Sequence, residues 1–483
     1  MIGSLCAALV VSGCVAPTGA RLGRPAWDFG PFAAGFADVD GSQHATAAGP
    51  FFESARGTNG ASLLAVRPFY SKATQTNDFL MEKDFVWPVA QKWAFKNQSV
   101  SRCGIFMSYN HDTATNDPRR RLWLLPFWFS GKDAGGTNYW ALFPLYGSIH
   151  EFIGRDSIDF VAWPIRSTST LNDLRTSNWV WPFYSETSTK DGHIHRHRLF
   201  PFYAYSFQRD AFTKRSILWP VWTSVRYEYP QEKGGGWILW PVCGHLKTDH
   251  EKTVWVLPPF FRFTKGKLMS RYYCPWPFIQ IERGKEYRKT YVWPLWGRKH
   301  AGNADSEFVL WPFVWNDHME RGKFHDHLVM VAPVYRHYVT MTEGRDGGPS
   351  NMTEHLEKVW PLMNWHLKNG TGRMRALDLW PIADNDHADR DWAPLWSLYD
   401  RSWRDEDLNS RLLWGLYRHQ RRGGEANYVS IFPLVSWRRD DADAHIHEWS
   451  LLKGLIGHER TDRGYSWRLL YFFRLGNEQE KQP

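Results

Sequence analysis

The sequence predicts an all-β fold, an antiparallel up-and-down meander of tandem repeats, and three observations predict it. Proline recurs, most often at intervals of about 17 to 21 residues, at 68, 88, 126, 144, 164, 182, 201, 220, 241, 258, 277, 294 and 312, and again at 333, 361, 381, 394 and 433. Each interval holds an apolar, aromatic centre around the proline and one polar, Gly-rich or Asp-rich cluster. Aromatic residues make up 16% of the 483 residues, 29 of them Trp, while mean hydropathy is only −0.50, a strand-rich profile rather than a disordered one.

The repeat centre reads Trp or Phe, then Pro, then an apolar residue, then often another aromatic, as in Trp181-Pro182-Phe183-Tyr184 and Trp293-Pro294-Leu295-Trp296. Missing prolines are substitutions in register. Met107 stands between Pro88 and Pro126, and Gly415 and Gly454 replace the proline in Leu413-Trp414-Gly415-Leu416 and Leu452-Lys453-Gly454-Leu455. With Pro50 as first member and Tyr471 as last, the array has about 22 units. One turn signal per unit, as in Lys190-Asp191-Gly192 or Gly234-Gly235-Gly236, predicts one long strand per unit and so about 22 strands, closed or flattened into a large β-barrel. Alternation along such a strand makes its centre apolar on both faces, which requires cover from lipid, protein or both. Proline opposes this reading, because it cannot donate to a ladder; a row of bulges or a crease is the expected consequence.

The domains follow: residues 1–13 a leader, 14–48 a tether, 49–475 the repeat domain and 476–483 a polar tail. Leu5 to Val11 form an apolar core followed by Val11-Ser12-Gly13-Cys14, which resembles the lipobox of bacterial lipoproteins. That resemblance implies lipidation and cleavage at Cys14, a palmitate-type acyl anchor, and attachment to the outer membrane, since Val15 rather than Asp follows. Membrane contact through the N-terminal lipid is therefore the first expected partner. The net charge of +9, spread over successive turns, points to anionic lipid or acidic glycan rather than nucleic acid. Outside the leader no apolar run reaches the roughly 18 to 20 residues of a spanning helix.

Of the five cysteines, Cys103, Cys243 and Cys274 would remain in the mature chain without zinc-like spacing, and each reads as a small hydrophobe in a buried strand. Three His-x-His pairs, His193 with His195, His325 with His327, and His445 with His447, are the metal candidates, because such a pair on a strand points both imidazoles to one side. The run Asp384, Asp386, Asp389 and Asp391 reads as solvated turn. No nucleophile elbow or phosphate loop is present, so the sequence supports no catalytic residues and no cofactor. The expected function is a non-enzymatic envelope lipoprotein; a glycan- or lipid-binding scaffold is the alternative and a surface hydrolase the third.

Overall fold

The computed structural model describes residues 24–37, 42–57, 59–75, 80–112, 119–343, 351–441 and 445–477. Among them the chain is one antiparallel meander of 46 strands, β1–β46, in which sequence neighbours pair. β1 (Arg24–Asp28) pairs with β2 (Ala33–Ala37) and β46 (Phe473–Gly476) with β45 (Gly464–Leu469); no pairing joins β1 to β46, so the sheet is not closed. The all-β meander holds, while the barrel and the count of about 22 strands are both corrected.

The correction has one cause: nearly every Trp-Pro centre is a turn, not the middle of a strand. β17 (Leu174–Trp179) runs into the turn Val180–Phe183, where the Phe183 N–H donates to the Val180 carbonyl at 2.8 Å, and β18 (Tyr184–Thr189) returns. A second turn follows, closed by Gly192 N–H to the Thr189 carbonyl at 3.1 Å, before β19 (Ile194–Leu199). Each repeat is thus a hairpin of two strands of about six residues, roughly 20 Å long. Proline sits where no ladder donor is needed, and most X–Pro peptides at these turns are cis. Successive polar turns share one edge, as Lys267 N–H donates to the His250 carbonyl at 2.9 Å and Gly302 N–H to that of Glu286 at 2.8 Å.

The substituted copies keep the turn by other means. Gly415 and Gly454 adopt φ of +116° and +108°, which a side chain would resist. Near Met107 the turn falls at Gly104–Phe106, and Met107 opens β10 (Met107–Asp112). The segment expected as a tether contributes β1, β2 and β3 (Gln43–Ala47), with Pro31 as an earlier copy of the turn. Gly234-Gly235-Gly236 is strand rather than turn, within β23 (Glu232–Leu239), where a Cβ on Gly236 would overlap the His245 carbonyl oxygen of the next strand.

The chain divides into two compact units, residues 97–321 and residues 1–96 with 322–483. In the first, Phe129, Ala141, Ile149 and Phe160 form an apolar core, after which the buried face is lined mainly by hydroxyls, with Glu282 and Phe308 among them. Cross-strand pairs join them: Ser157 with Thr170 at 2.8 Å, Thr176 with Thr187 at 3.0 Å and Thr253 with Thr264 at 2.8 Å. In the second, Ala55, Leu63 and Ala73 cluster beside buried charge. The expectation of two apolar faces is therefore corrected too, since the apolar residues belong to the turns. No helix among the described residues is long and apolar enough to cross a membrane.

Candidate functional site

The turns gather the exposed apolar surface along one edge of the sheet. In unit 97–321 the residue after the proline points outward in copy after copy; Phe127, Leu145, Phe183, Phe202, Leu295 and Phe313 are between 53% and 62% exposed. The aromatics before the prolines line up beneath them, with ring centroids 5.2 Å apart for Phe143 and Trp163, 5.8 Å for Trp163 and Trp181, and 5.7 Å for Trp293 and Trp311. Six half-exposed side chains of this size present on the order of 500 Å². That alone matches the largest apolar patch of a typical monomer, roughly 300 to 600 Å², and the neighbouring Val180, Leu218 and Leu310 enlarge it.

The backbone of this edge is satisfied from within. Val180 N–H donates to the Ile165 carbonyl at 2.6 Å, Trp181 N–H to that of Pro164 at 2.8 Å, Phe200 N–H to that of Phe183 at 2.6 Å and Leu310 N–H to that of Leu295 at 2.7 Å. Each apolar turn is hydrogen-bonded to the next. An edge with its donors occupied can face an apolar medium without the cost of buried, unpaired N–H groups. The opposite edge carries Lys190, Asp191, Arg209, Asp210, Lys267 and Lys285.

Among the described residues of the other unit the meander is interrupted once by helices. β37 (Thr371–Ala376) pairs with β38 (Tyr399–Arg404), but residues 377–398 between them carry α1 (Asp386–Asp391) and α2 (Ala393–Trp396) in place of a turn. Asn385 caps α1, accepting from the His387 and Ala388 N–H groups, and Pro394 lies in the first turn of α2. Arg390 donates to Ser71 Oγ at 3.1 Å, to Glu82 Oε2 at 2.8 Å and to Asp84, which also meets His387 Nδ1 at 2.8 Å. Arg67 donates to the Arg390 carbonyl at 2.6 Å and to Glu53. On the other flank Lys358 Nζ lies 3.0 Å from Asp378 and 3.2 Å from Asp384, and Arg375 2.9 Å from Asp389. The acidic run is therefore corrected from solvated turn to ion-paired insertion. The local signals were present in Asn385, placed to cap, and Pro394, placed to start a helix.

Burial pushes the Asp391 carboxyl up to about 7. Burial works on Asp84 in the same direction, but the His387 hydrogen bond and the Arg390 charge hold it below the usual carboxylate range. For Asp400 burial is likewise overcome by Arg373 and Arg411, which hold it at about 2. A raised carboxyl is a mark of acid catalysts, yet structural ion networks produce it as well. Asp391 is 3% exposed and does not line the nearby cavity of about 40 Å³, which Glu53, Arg67, Ser397, Asp400 and Arg411 enclose. That volume has room for roughly two or three waters. The arrangement works as a clamp that fastens the insertion to β6 (Tyr70–Gln75) and β7 (Leu80–Phe85).

The residues singled out by sequence are dispersed. Cys14 lies outside the described residues. His193 follows a polar turn, its N–H donating to Asp191 Oδ1 at 3.0 Å, and His195 is exposed in β19. His445 is exposed with Nδ1 2.9 Å from Asp462, and His447 Nε2 is 3.8 Å from Asp441. Among the described residues neither of these pairs gathers a third ligand. His325 and His327 stand on β33 (Phe324–Val331), His325 Nε2 3.4 Å from Glu343 and the His327 ring 6.3 Å from that of His337. Cys103 and Cys274 are exposed and Cys243 half-buried, all free thiols, which corrects their reading as core hydrophobes.

No family model and no curated protein matches the chain. Among solved structures, the WD40 domain of SCAP from fission yeast aligns at 9% identity over 95% of this chain and 88% of that one, with a TM-score of 0.09, too low to carry an inference.

Proposed function

We propose that this protein is a non-enzymatic lipoprotein of the cell envelope, held at the outer membrane by acyl chains on Cys14 and by the apolar turn edge of its β-repeat array. The observation that carries the reading is that edge, on which exposed aromatics and aliphatics recur at every repeat while the turn backbone is hydrogen-bonded from one copy to the next. Aromatic side chains of this kind favour the boundary between head groups and acyl chains. Arg166, whose guanidinium lies 4.7 Å over the Trp179 ring, supplies positive charge beside the edge for anionic head groups. The reading needs neither a barrel nor a spanning helix, because a peripheral edge only enters the interface.

The test uses the full chain and a Cys14→Ser variant. Palmitate incorporation should vanish in Cys14→Ser, yet that protein should still float with vesicles containing anionic phospholipid. Adding Phe183→Ser, Phe202→Ser and Leu295→Ser should lower flotation at least tenfold while leaving the far-ultraviolet spectrum intact. A Cys14→Ser protein that stays wholly in the aqueous fraction would overturn the lipid role of the edge. It would favour a glycan-binding scaffold, for which an open groove of about 400 Å³ beside Trp140, Tyr146 and Arg166 is the supporting feature.

A further inference from the structure

A second cluster, independent of the turn edge, lies on the sheet of the unit that carries the insertion. β34 (Tyr335–Thr342) pairs with β35 (Asn351–Val359) so that Val339 faces His355 and His337 faces Glu357. Side chains alternate across strands, so the two adjoining rungs bring His337, His355 and Glu357 to one face of the sheet. Each offers one ligand atom, and the three atoms lie within 4.8 Å of one another. The imidazole rings meet edge to face with centroids 5.1 Å apart.

We infer that His337, His355 and Glu357 bind a divalent first-row transition ion, with Zn²⁺ the expected species. The donor set of two imidazoles and one carboxylate is a familiar one for zinc, and it leaves a fourth position for water. His337 Nδ1 and His355 Nε2 are both buried and lack a hydrogen-bond partner, so each keeps its nitrogen open to an ion. Glu357 is oriented from its other side: Tyr335 donates its hydroxyl to Oε1 at 3.1 Å, leaving Oε2 3.7 Å from His355 Nε2. Outer-shell bonds of this type fix a ligating carboxylate. Trp365, 4.6 Å away and perpendicular, holds the His355 ring in place. Tetrahedral ligands about 2.1 Å from zinc stand roughly 3.4 Å apart, so binding would draw the three atoms together by about an ångström.

The site differs from the three histidine pairs evident in sequence. His337 and His355 are 18 residues apart, and only strand pairing brings them together.

The experiment measures Zn²⁺ binding to the full-length protein by isothermal titration, and the visible spectrum with Co²⁺ as a reporter of coordination. One equivalent should bind, with d–d absorption typical of nitrogen and oxygen ligands. His337→Ala and His355→Ala should each weaken binding at least 100-fold, and Tyr335→Phe about tenfold through the outer shell. Glu357→Gln, which keeps the shape but not the charge, guards against misfolding as the cause and should also weaken binding. His195→Ala and His447→Ala should leave the stoichiometry and affinity unchanged. Failure to take up Zn²⁺, or one equivalent retained by a His337→Ala, His355→Ala double variant with native circular dichroism, would overturn the assignment.

Discussion

The same hairpin repeat has two kinds of interior. Among the described residues of 97–321 no helix interrupts the strands, and their buried face is lined mainly by Ser and Thr bonded across strands, with Glu282, paired with Lys289, as its buried charge. In the other unit buried charges such as Asp84, Lys358 and Arg390 join the buried hydroxyls, and the meander opens to admit α1 and α2. Each unit carries its own row of exposed apolar turns, with Phe127 and Phe313 in one and Phe69 and Leu434 in the other. The comparison separates what the repeat demands from what it tolerates. Turn chemistry is kept at nearly every copy, whereas the strand positions vary so long as their polar groups find partners.

The largest expected effect breaks the charged interior. Arg390 is buried with Ser71, Glu82, Asp84 and His387 around it, so Arg390→Ala leaves carboxylates without a counter-charge. A loss of about 3 to 5 kcal/mol is expected for breaking a buried network from one side. Guanidinium denaturation should show it, and a midpoint within error of the parent would mean that the insertion is not clamped.

pH distinguishes the two interiors next. The folded-state pKa of Asp391 is raised to about 7 from an ordinary 3.8, so the folded state holds a proton that the unfolded state releases, and stability falls as pH rises between those values. His387, raised by Asp84 against the effect of burial, acts in the same direction at its upper end. Glu53, Asp84 and Asp400 are lowered, so their contributions are lost only toward acid, below the ordinary carboxylate values of 3.8 to 4.5. From pH 5 to pH 7 the decline attributable to Asp391 is about 2 to 3 kcal/mol. Asp391→Asn should flatten most of it in thermal melts recorded across that range, and an unchanged slope would place the proton elsewhere.

The stacked turn aromatics form the third contrast, this one within a single edge. Trp293 touches both Phe278 and Trp311, at 6.1 Å and 5.7 Å, while Trp219 contacts Phe200 at 5.8 Å and is 56% exposed. Each aromatic pair is worth about 0.5 to 1.5 kcal/mol beyond its buried area. Trp293→Ala should therefore cost about twice what Trp219→Ala costs in a denaturant titration. Equal losses would remove the ladder of contacts from the energetics.

What was legible in sequence follows from where the signals sit. Proline, tryptophan and the in-register glycines at 415 and 454 are local marks of one turn, and their period gave the meander directly. The strand count was lost because Trp181-Pro182-Phe183 is as apolar as a strand centre, and hydropathy does not distinguish an exposed apolar turn from a buried strand. Proline's missing donor was the physical clue that a ladder could not pass through it. The acidic insertion was obscured because Trp380-Pro381 and Ala393-Pro394 imitate the repeat, though neither forms its turn. The partners of Arg390, namely Arg67, Ser71 and Asp84, lie more than 300 residues away in sequence. His337 and His355 do not read as a pair in sequence for a similar reason, since their proximity is a product of register.

The smallest expected effect lies in the hydroxyl-lined interior, where Thr253 and Thr264 are both buried and bonded at 2.8 Å. Their hydroxyls face one another across β25 (Glu251–Val256) and β26 (Phe261–Gly266), paired directly in register, and Arg262 Nε donates to Thr264 Oγ1 at 3.1 Å. Thr253→Val keeps the shape and the β-branching that the strand favours and removes one hydroxyl of the pair. Thr264 keeps its bond from Arg262, so no acceptor is stranded, and the loss should stay within about 0.2 to 1 kcal/mol. Thr264→Val is the sharper probe, because it leaves both Thr253 and the Arg262 Nε–H without that partner, and it should cost more than its mirror change. Denaturant midpoints of the two variants and the double variant complete a cycle whose coupling term reads the pair directly. A Thr253→Val loss as large as that of Arg390→Ala would erase the distinction between the interiors, since a neutral rung would then be as indispensable as the buried charge network.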